Sequence, residues 1–189
     1  MRDPVGRISP KLQAILAHRA KADDPASAPK VLSPSHLMAL RAVLAHMVPH
    51  SIAGLDLAQR IDAELAAGSD NGWRLETMPD DARAHRDALT SLDAAARAGG
   101  ASGFADLVAD RQAAMLAKVA EGAFDAPAGA PMTAEQLSDW FTELLSDAVR
   151  LYVAHPSTIS SIGYEGHANG AHSGAAFEGW TDREIEDVR

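Results

Sequence analysis

Cysteine is absent from the 189 residues of this chain. That excludes disulfides, thiolate metal sites and cysteine nucleophiles, and it leaves the redox compartment open. Aromatic residues make up only 5%, so each should have a specific packing or contact role. No apolar run approaches the ~20 residues that a membrane-spanning helix needs. The stretch from Leu12 to Ala17 is short and is interrupted by Gln13. The opening MRDPVGRISPKLQAILAHRA has no signal-peptide pattern, and Arg2 and Arg7 do not form a twin-arginine pair. Basic residues are in deficit, 17 against 26 acidic, for a formal charge of −9. That surface disfavours nucleic-acid backbones and anionic membranes as main partners. The chain therefore reads as cytoplasmic, with no nucleic-acid partner and no direct membrane insertion. It reads as periplasmic only if a signal-bearing partner carries it out.

What is present is helical. Apolar residues reach 47%, much of it alanine, and the length suits one domain with a real core. Ser9-Pro10 opens a short first helix that ends in the polar linker KADDPASAPK. Ser33-Pro34 repeats the start signal, with Leu32 and Leu37 as a hydrophobic staple. Leu37, Leu40, Leu44, Met47 and Val48 then share a face until Pro49 stops the helix. A third helix is predicted over Leu55–Ala67, with Leu57, Ala58, Ile61 and Leu65 inward. Trp73 follows in a loop and is expected to plug a gap between helices. Pro79-Asp80-Asp81 starts a fourth helix, which Gly99-Gly100 ends. Ser102 is expected to cap a fifth, with Phe104, Leu107, Val108, Met115 and Val119 on its apolar side.

The clearest signals belong to the last long helix. Thr133 and Gln136 fit a capping box, and Met132 and Leu137 fit its staple. Leu137, Trp140, Phe141, Leu144, Leu145, Ala148 and Leu151 form a wide apolar stripe. Trp140 and Phe141 mark this helix as the expected centre of the core, and His155-Pro156 ends it. No segment alternates apolar and polar residues long enough for a strand. The expected fold is all-α, a bundle of about five to six helices with an extended, non-helical C-terminal segment. The expected divisions are 1–30, an N-terminal helix and linker, then 31–154, the helical body, then 155–189, the extended segment.

The stretch HPSTISSIGYEGHANGAHSGAAFEGW, His155 to Trp180, departs from the alanine-rich helical pattern. Long runs without periodicity are functional or disordered, and Tyr164, Phe177 and Trp180 argue against disorder. His155, His167 and His172, with Glu165, suggest metal ligation, and a stand-alone metal-dependent enzyme is one alternative reading. Their spacing matches no ligand motif, and a loop is a poor platform for fixed coordination. Capping or interface hydrogen bonding is the plainer role. Ser157, Ser160 and Ser161 lack the elbow and the orienting acid that a nucleophile needs. Gly163, Gly166 and Gly170 lack the strand–helix context of a phosphate loop. Glu64, Glu76, Glu135 and Glu143 read as solvated charges, and His46 and His50 as caps at the end of the second helix. Two readings of the stretch then remain: a surface that docks on another protein, or a strap over the chain's own helices in an independent interaction module.

Two segments, LMALRAVLAHMVPHSIAGLDLAQRIDAELAAG and FTELLSDAVRLYVAHPSTISSIGYEGHANG, resemble the gluconate 2-dehydrogenase subunit 3 family. The intervening LDAAARAGGASGFADLVADRQAAMLAKVAEG is similar to that family's middle helices. The most specific match is the turn Ile162-Gly163-Tyr164-Glu165-Gly166. The resemblance implies a non-catalytic small subunit. Its partner would be a large flavin subunit of the glucose–methanol–choline type, carrying FAD and the catalytic histidine and oxidising a sugar or polyol. A haem c subunit is a further partner in such complexes. The resemblance implies no catalytic residue, cofactor or metal on this chain. It casts the C-terminal stretch as the docking element, through His155, Pro156, Ile162, Gly163, Tyr164, Glu165, Gly166, His167, Phe177 and Trp180. Many members begin with a twin-arginine signal and this sequence does not, which puts an export role in doubt.

Overall fold

The computed structural model describes residues 10–68 and 75–162. Among them the fold is all-α, with seven α-helices, one 3-10 turn and no strand. The chain divides into a larger unit, Asp23–Tyr152, and a smaller unit that draws on both ends, Met1–Ala22 and Val153–Arg189.

In the larger unit, α2 (Pro34–Met47) begins as its sequence dictates. Ser33 accepts the His36 N–H at 3.1 Å, and Pro34 supplies a preset backbone angle at the first position. Leu32 and Leu37 are both buried, as the staple requires. Helix α3 (Leu57–Ala67) starts two residues later than its periodicity suggested, because Asp56 is the N-cap and accepts from Gln59 N at 3.1 Å. Gly68 closes it at φ +63°, a left-handed angle that glycine adopts without a Cβ clash. Helix α4 (Asp81–Ala98) is capped by Asp80, which accepts from Arg83 N at 2.9 Å. It buries Ala84, His85, Ala88, Leu89, Leu92 and Ala96 along one face.

The fifth helix departs from expectation. Ser102 caps nothing; Phe104–Asp106 is a 3-10 turn, and α5 spans Ala109–Ala120. Leu107 and Val108 are extended. Phe104 therefore enters the core while Val108 stands 66% exposed. The cause is long-range. Asp93 on α4 accepts the Phe104 N–H at 2.8 Å, and Gln112 donates to the Phe104 and Ala105 carbonyls at 3.1 and 3.3 Å. Gln112 thereby serves two carbonyls that a continuous helix would have satisfied internally, and Asp93 serves an N–H that a first helical turn would have left open.

Helix α6 (Ala134–Ala154) has the reciprocal capping box. Thr133 N donates to Gln136 Oε1 at 3.1 Å, and Gln136 N donates to Thr133 Oγ1 at 3.2 Å. It buries Leu137, Trp140, Leu144 and Ala148, while Phe141 is only partly covered and Leu145 is 38% exposed. The centre of the core is α2 rather than α6. Helix α2 packs closely on α3, α4, α5 and the 3-10 turn, and its Ala39, Leu40 and Val43 are at most 1% exposed. Small and medium side chains let neighbouring backbones approach.

In the smaller unit, α1 spans Pro10–Arg19 and buries Leu16. Its expected cap, Ser9, lies outside the described residues, as does Trp73. Helix α7 (Pro156–Ser161) occupies the start of the segment expected to be extended. His155 breaks α6 as the residue before proline. Its ring then starts a new helix, with Pro156 at the first position.

Candidate functional site

Three of the ten expected docking residues fall in the described part of the chain. His155 is buried, and its Nδ1 accepts the Ser157 N–H at 3.2 Å as the N-cap of α7. Pro156 is buried beside it in the sequence, and Ile162, the C-cap, is 63% exposed. Gly163, Tyr164, Glu165, Gly166, His167, Phe177 and Trp180 lie outside the described residues, as does His172. The metal reading keeps only His155 in view, with one ring nitrogen given to capping. Among the described residues no group of three or more histidines and carboxylates could hold a metal. Ser161 donates its hydroxyl to the Thr158 carbonyl at 2.9 Å, a helix-end contact.

The histidines at the end of α2 act locally. His46 Nε2 pairs with Gln112 Oε1 at 3.0 Å and so links α2 to α5. His50 Nδ1 accepts from Ile52 N at 3.3 Å, and its ring stacks on Tyr152 with centroids 5.6 Å apart. Glu64 is not simply solvated. It holds Arg150 of α6 through two bonds of 3.1 and 2.7 Å, and Asp147 adds a third at 3.2 Å. Hydrogen bonding to Glu64 raises the arginine's pKa.

Beside that ion pair, the larger unit has a cavity of about 500 Å³, within the usual range of ligand pockets. It opens among α3, the start of α4 and α6. Ile61, Leu65, Met78 and Leu144 give it apolar walls, and His85 and Trp140 also line it. Trp140 Nε1 donates to His85 Nδ1 at 3.2 Å, and the rings meet edge to face at 6.0 Å. That bond fixes the tautomer, so Nε2 carries the proton. Desolvation lowers the His85 pKa to about 4, so the ring is neutral at ordinary pH. His85 was not singled out in the sequence. Its signal was legible all the same: it sits at helical spacing with Leu89, Leu92 and Ala96 on the buried face of α4.

A different polar cluster ties the linker to the helices. Asp62, 3% exposed, accepts the backbone N–H groups of Lys30, Val31 and Leu32 at 2.5, 3.0 and 2.8 Å. Asp23 accepts from Asp56 N and Arg60 Nε, both at 2.8 Å. Arg41 Nε in turn donates to Asp56 at 2.8 Å. Every one of these carboxylates positions backbone or pairs with arginine, which is structural work.

No curated protein and no solved structure matches the chain. A family model does, the one described as gluconate 2-dehydrogenase subunit 3, over residues 34–166. The match begins at the first residue of α2, runs through α7 and includes the sequence Gly163-Tyr164-Glu165-Gly166. With that span covering most of the sequence and nearly every helix, the chain belongs to the gluconate 2-dehydrogenase subunit 3 family.

Proposed function

We propose that this chain is the non-catalytic small subunit of an FAD-dependent sugar or polyol dehydrogenase, binding and stabilising a large flavin subunit that performs the oxidation. The observation that carries the reading is the family match over residues 34–166, whose description names a subunit of a dehydrogenase complex. A subunit implies a partner, and the large flavoprotein is the partner on which FAD chemistry would reside. Electrons would leave that flavoprotein for a haem c subunit or another acceptor.

Two surface features support docking. Leu145 and Val149 stand one turn apart on α6, 38% and 42% exposed, and so share a face. In the smaller unit the side chain of Ile162 is exposed, at the start of the sequence Ile162-Gly163-Tyr164-Glu165-Gly166. In this reading Tyr164 and Trp180 are the anchors, each contributing about 2 kcal/mol at an interface hot spot. The test is co-expression with the flavoprotein, with and without Tyr164→Ala plus Trp180→Ala. The unaltered chain should co-purify with the flavoprotein. The double variant should weaken the complex at least a hundredfold, by the arithmetic of about 1.4 kcal/mol per decade. Unchanged affinity in the double variant would remove the anchor assignment, and a flavoprotein that never associates would remove the subunit reading.

A further inference from the structure

The end of α4, the exposed face of α5 and the loop after it line an apolar groove of about 290 Å³, all within the larger unit. Small residues leave this space. Gly99 has no side chain, and a Cβ added to it would meet only the Ala96 and Ala95 carbonyls, at 3.4 and 3.7 Å, with nothing of α5 within 4 Å. Ala114 contributes only a methyl group from the α5 side. Leu107, Met115 and Phe124 give the groove its apolar walls, and Phe124 is itself part of the core.

The charges that line it are a second, independent feature. Gln112, Leu116 and Val119 are the buried face of α5, so Arg111, Met115 and Lys118, at four- and three-residue spacing, share the face that looks out. Arg111 is exposed, and its guanidinium has no ion-pair or hydrogen-bond partner among the described residues. Lys118 has only Asp125, at 3.2 Å, and that carboxylate is 90% exposed, a pair that water screens. Two cations therefore meet one carboxylate in the groove, on a chain whose formal charge is −9. An occupant that satisfies both features has an apolar side chain for the walls and a carboxylate for the guanidinium, which binds carboxylates through two parallel N–H bonds. An acidic peptide segment with a side chain the size of leucine or phenylalanine has both. A second copy seated groove to groove would bring like cations together, which disfavours self-association through this face.

We propose that this groove docks an acidic segment of the catalytic partner, with Arg111 pairing a carboxylate and an apolar side chain of the same segment filling the space left by Gly99 and Ala114. The inference rests on the subunit reading above and adds to it the chemistry of the segment that is recognised. Arg111 gives the contact its charge selectivity and makes it sensitive to salt.

The experiment measures the affinity of the purified chain for the purified flavoprotein, by calorimetry, over a range of ionic strength. Arg111→Glu reverses the charge and should weaken binding by about tenfold or more, with a flatter salt dependence, while Arg111→Lys keeps the charge and should recover part of the loss. Ala114→Trp fills the groove and should weaken binding by about tenfold with the salt dependence retained. Arg86→Glu makes the same charge change on the exposed surface of α4 outside the groove and should alter affinity by less than about twofold. All three positions are exposed, so the helices tolerate the changes. Unchanged affinity in Arg111→Glu overturns the inference and leaves the subunit reading standing. Weakening in Arg111→Glu with none in Ala114→Trp reduces the effect to long-range charge and overturns it as well. No complex at all with the unaltered chain overturns both readings. A parallel titration uses octanoate, a free carboxylate with an aliphatic body. Saturable octanoate binding that Arg111→Glu abolishes, with flavoprotein affinity intact, would assign the groove to a small carboxylate and overturn the inference. Self-association lost in Arg111→Glu, again with flavoprotein affinity intact, would assign it to a second copy of this chain and overturn it too.

Discussion

Asp62 offers the sharpest test of how the linker is held to the bundle. Its two carboxylate oxygens accept three successive backbone N–H groups, those of Lys30, Val31 and Leu32. These residues lead directly into Ser33, the cap of α2. Leu32 is itself core, 5% exposed. Asp62→Ala leaves all three donors without their acceptor. A buried orphan donor costs about 1–3 kcal/mol. The Leu32 N–H is buried and bears the full cost, whereas the other two are part-buried and recover some of it from water. The sum is on the order of 3–5 kcal/mol, a large share of the roughly 5–15 kcal/mol that stabilises an ordinary domain. Asp62→Asn keeps one acceptor oxygen but turns an amide donor towards a backbone donor, for a loss of about 2 kcal/mol. Urea unfolding followed by tryptophan fluorescence gives both numbers by linear extrapolation. The transition midpoint should fall in the order unaltered chain, Asn, Ala, with little change in slope. If both variants lie within about 0.5 kcal/mol of the unaltered chain, the size of ordinary surface changes, the reasoning fails.

Acid should expose the burial of His85. Its folded pKa is lowered from 6.5 to about 4 by desolvation, so between those values the unfolded chain binds the extra proton. This contribution is complete above pH 6.5, is lost as pH falls towards 4, and amounts to on the order of 3 kcal/mol. His85→Gln keeps an acceptor for the Trp140 N–H and should flatten the stability slope in that window. An identical slope in chemical denaturation across pH would refute the assignment. His36, whose pKa is also lowered chiefly by burial, supplies a slope of the same sign common to both proteins. At Gly103 an added Cβ would sit 3.0 Å from Asp93 Oδ1, the acceptor for Phe104 N. Gly103→Ala should therefore cost about 1–3 kcal/mol as an overpacking change. At Gly99 the nearest atom would be 3.4 Å away, so Gly99→Ala should be near neutral in the same thermal-melt comparison.

Features that depend on neighbours in sequence were legible before the structure. Ser33 with Pro34, and Thr133 with Gln136, mark helix starts through bonds spanning three residues. The leucines of α2 and α4 fall inward because a 3.6-residue period leaves no other face for them. Long-range features were not legible. Phe104 looked like part of a helix capped by Ser102, yet Asp93, eleven residues earlier, holds its N–H and breaks the helix there. Glu64 looked solvated until the fold brought Arg150 to it from 86 positions away. Asp62 was not singled out in the sequence, because the linker backbone that it holds comes from a distant part of the chain. The short helix after His155 was missed because Pro156 signals the end of one helix and the first turn of the next equally well. The family itself was legible, in the two long segments and the motif Ile162-Gly163-Tyr164-Glu165-Gly166.

The central claim is that this chain works as the small partner of a flavin-bearing dehydrogenase. The most direct measurement is co-expression with the flavoprotein subunit, followed by size-exclusion chromatography with flavin absorbance and dehydrogenase activity read across the profile. The account predicts that this chain co-elutes with flavin in a fixed ratio, and that flavoprotein expressed without it is less soluble or less active. A flavoprotein that folds, holds its flavin and turns over equally well alone, with this chain eluting separately, would contradict it.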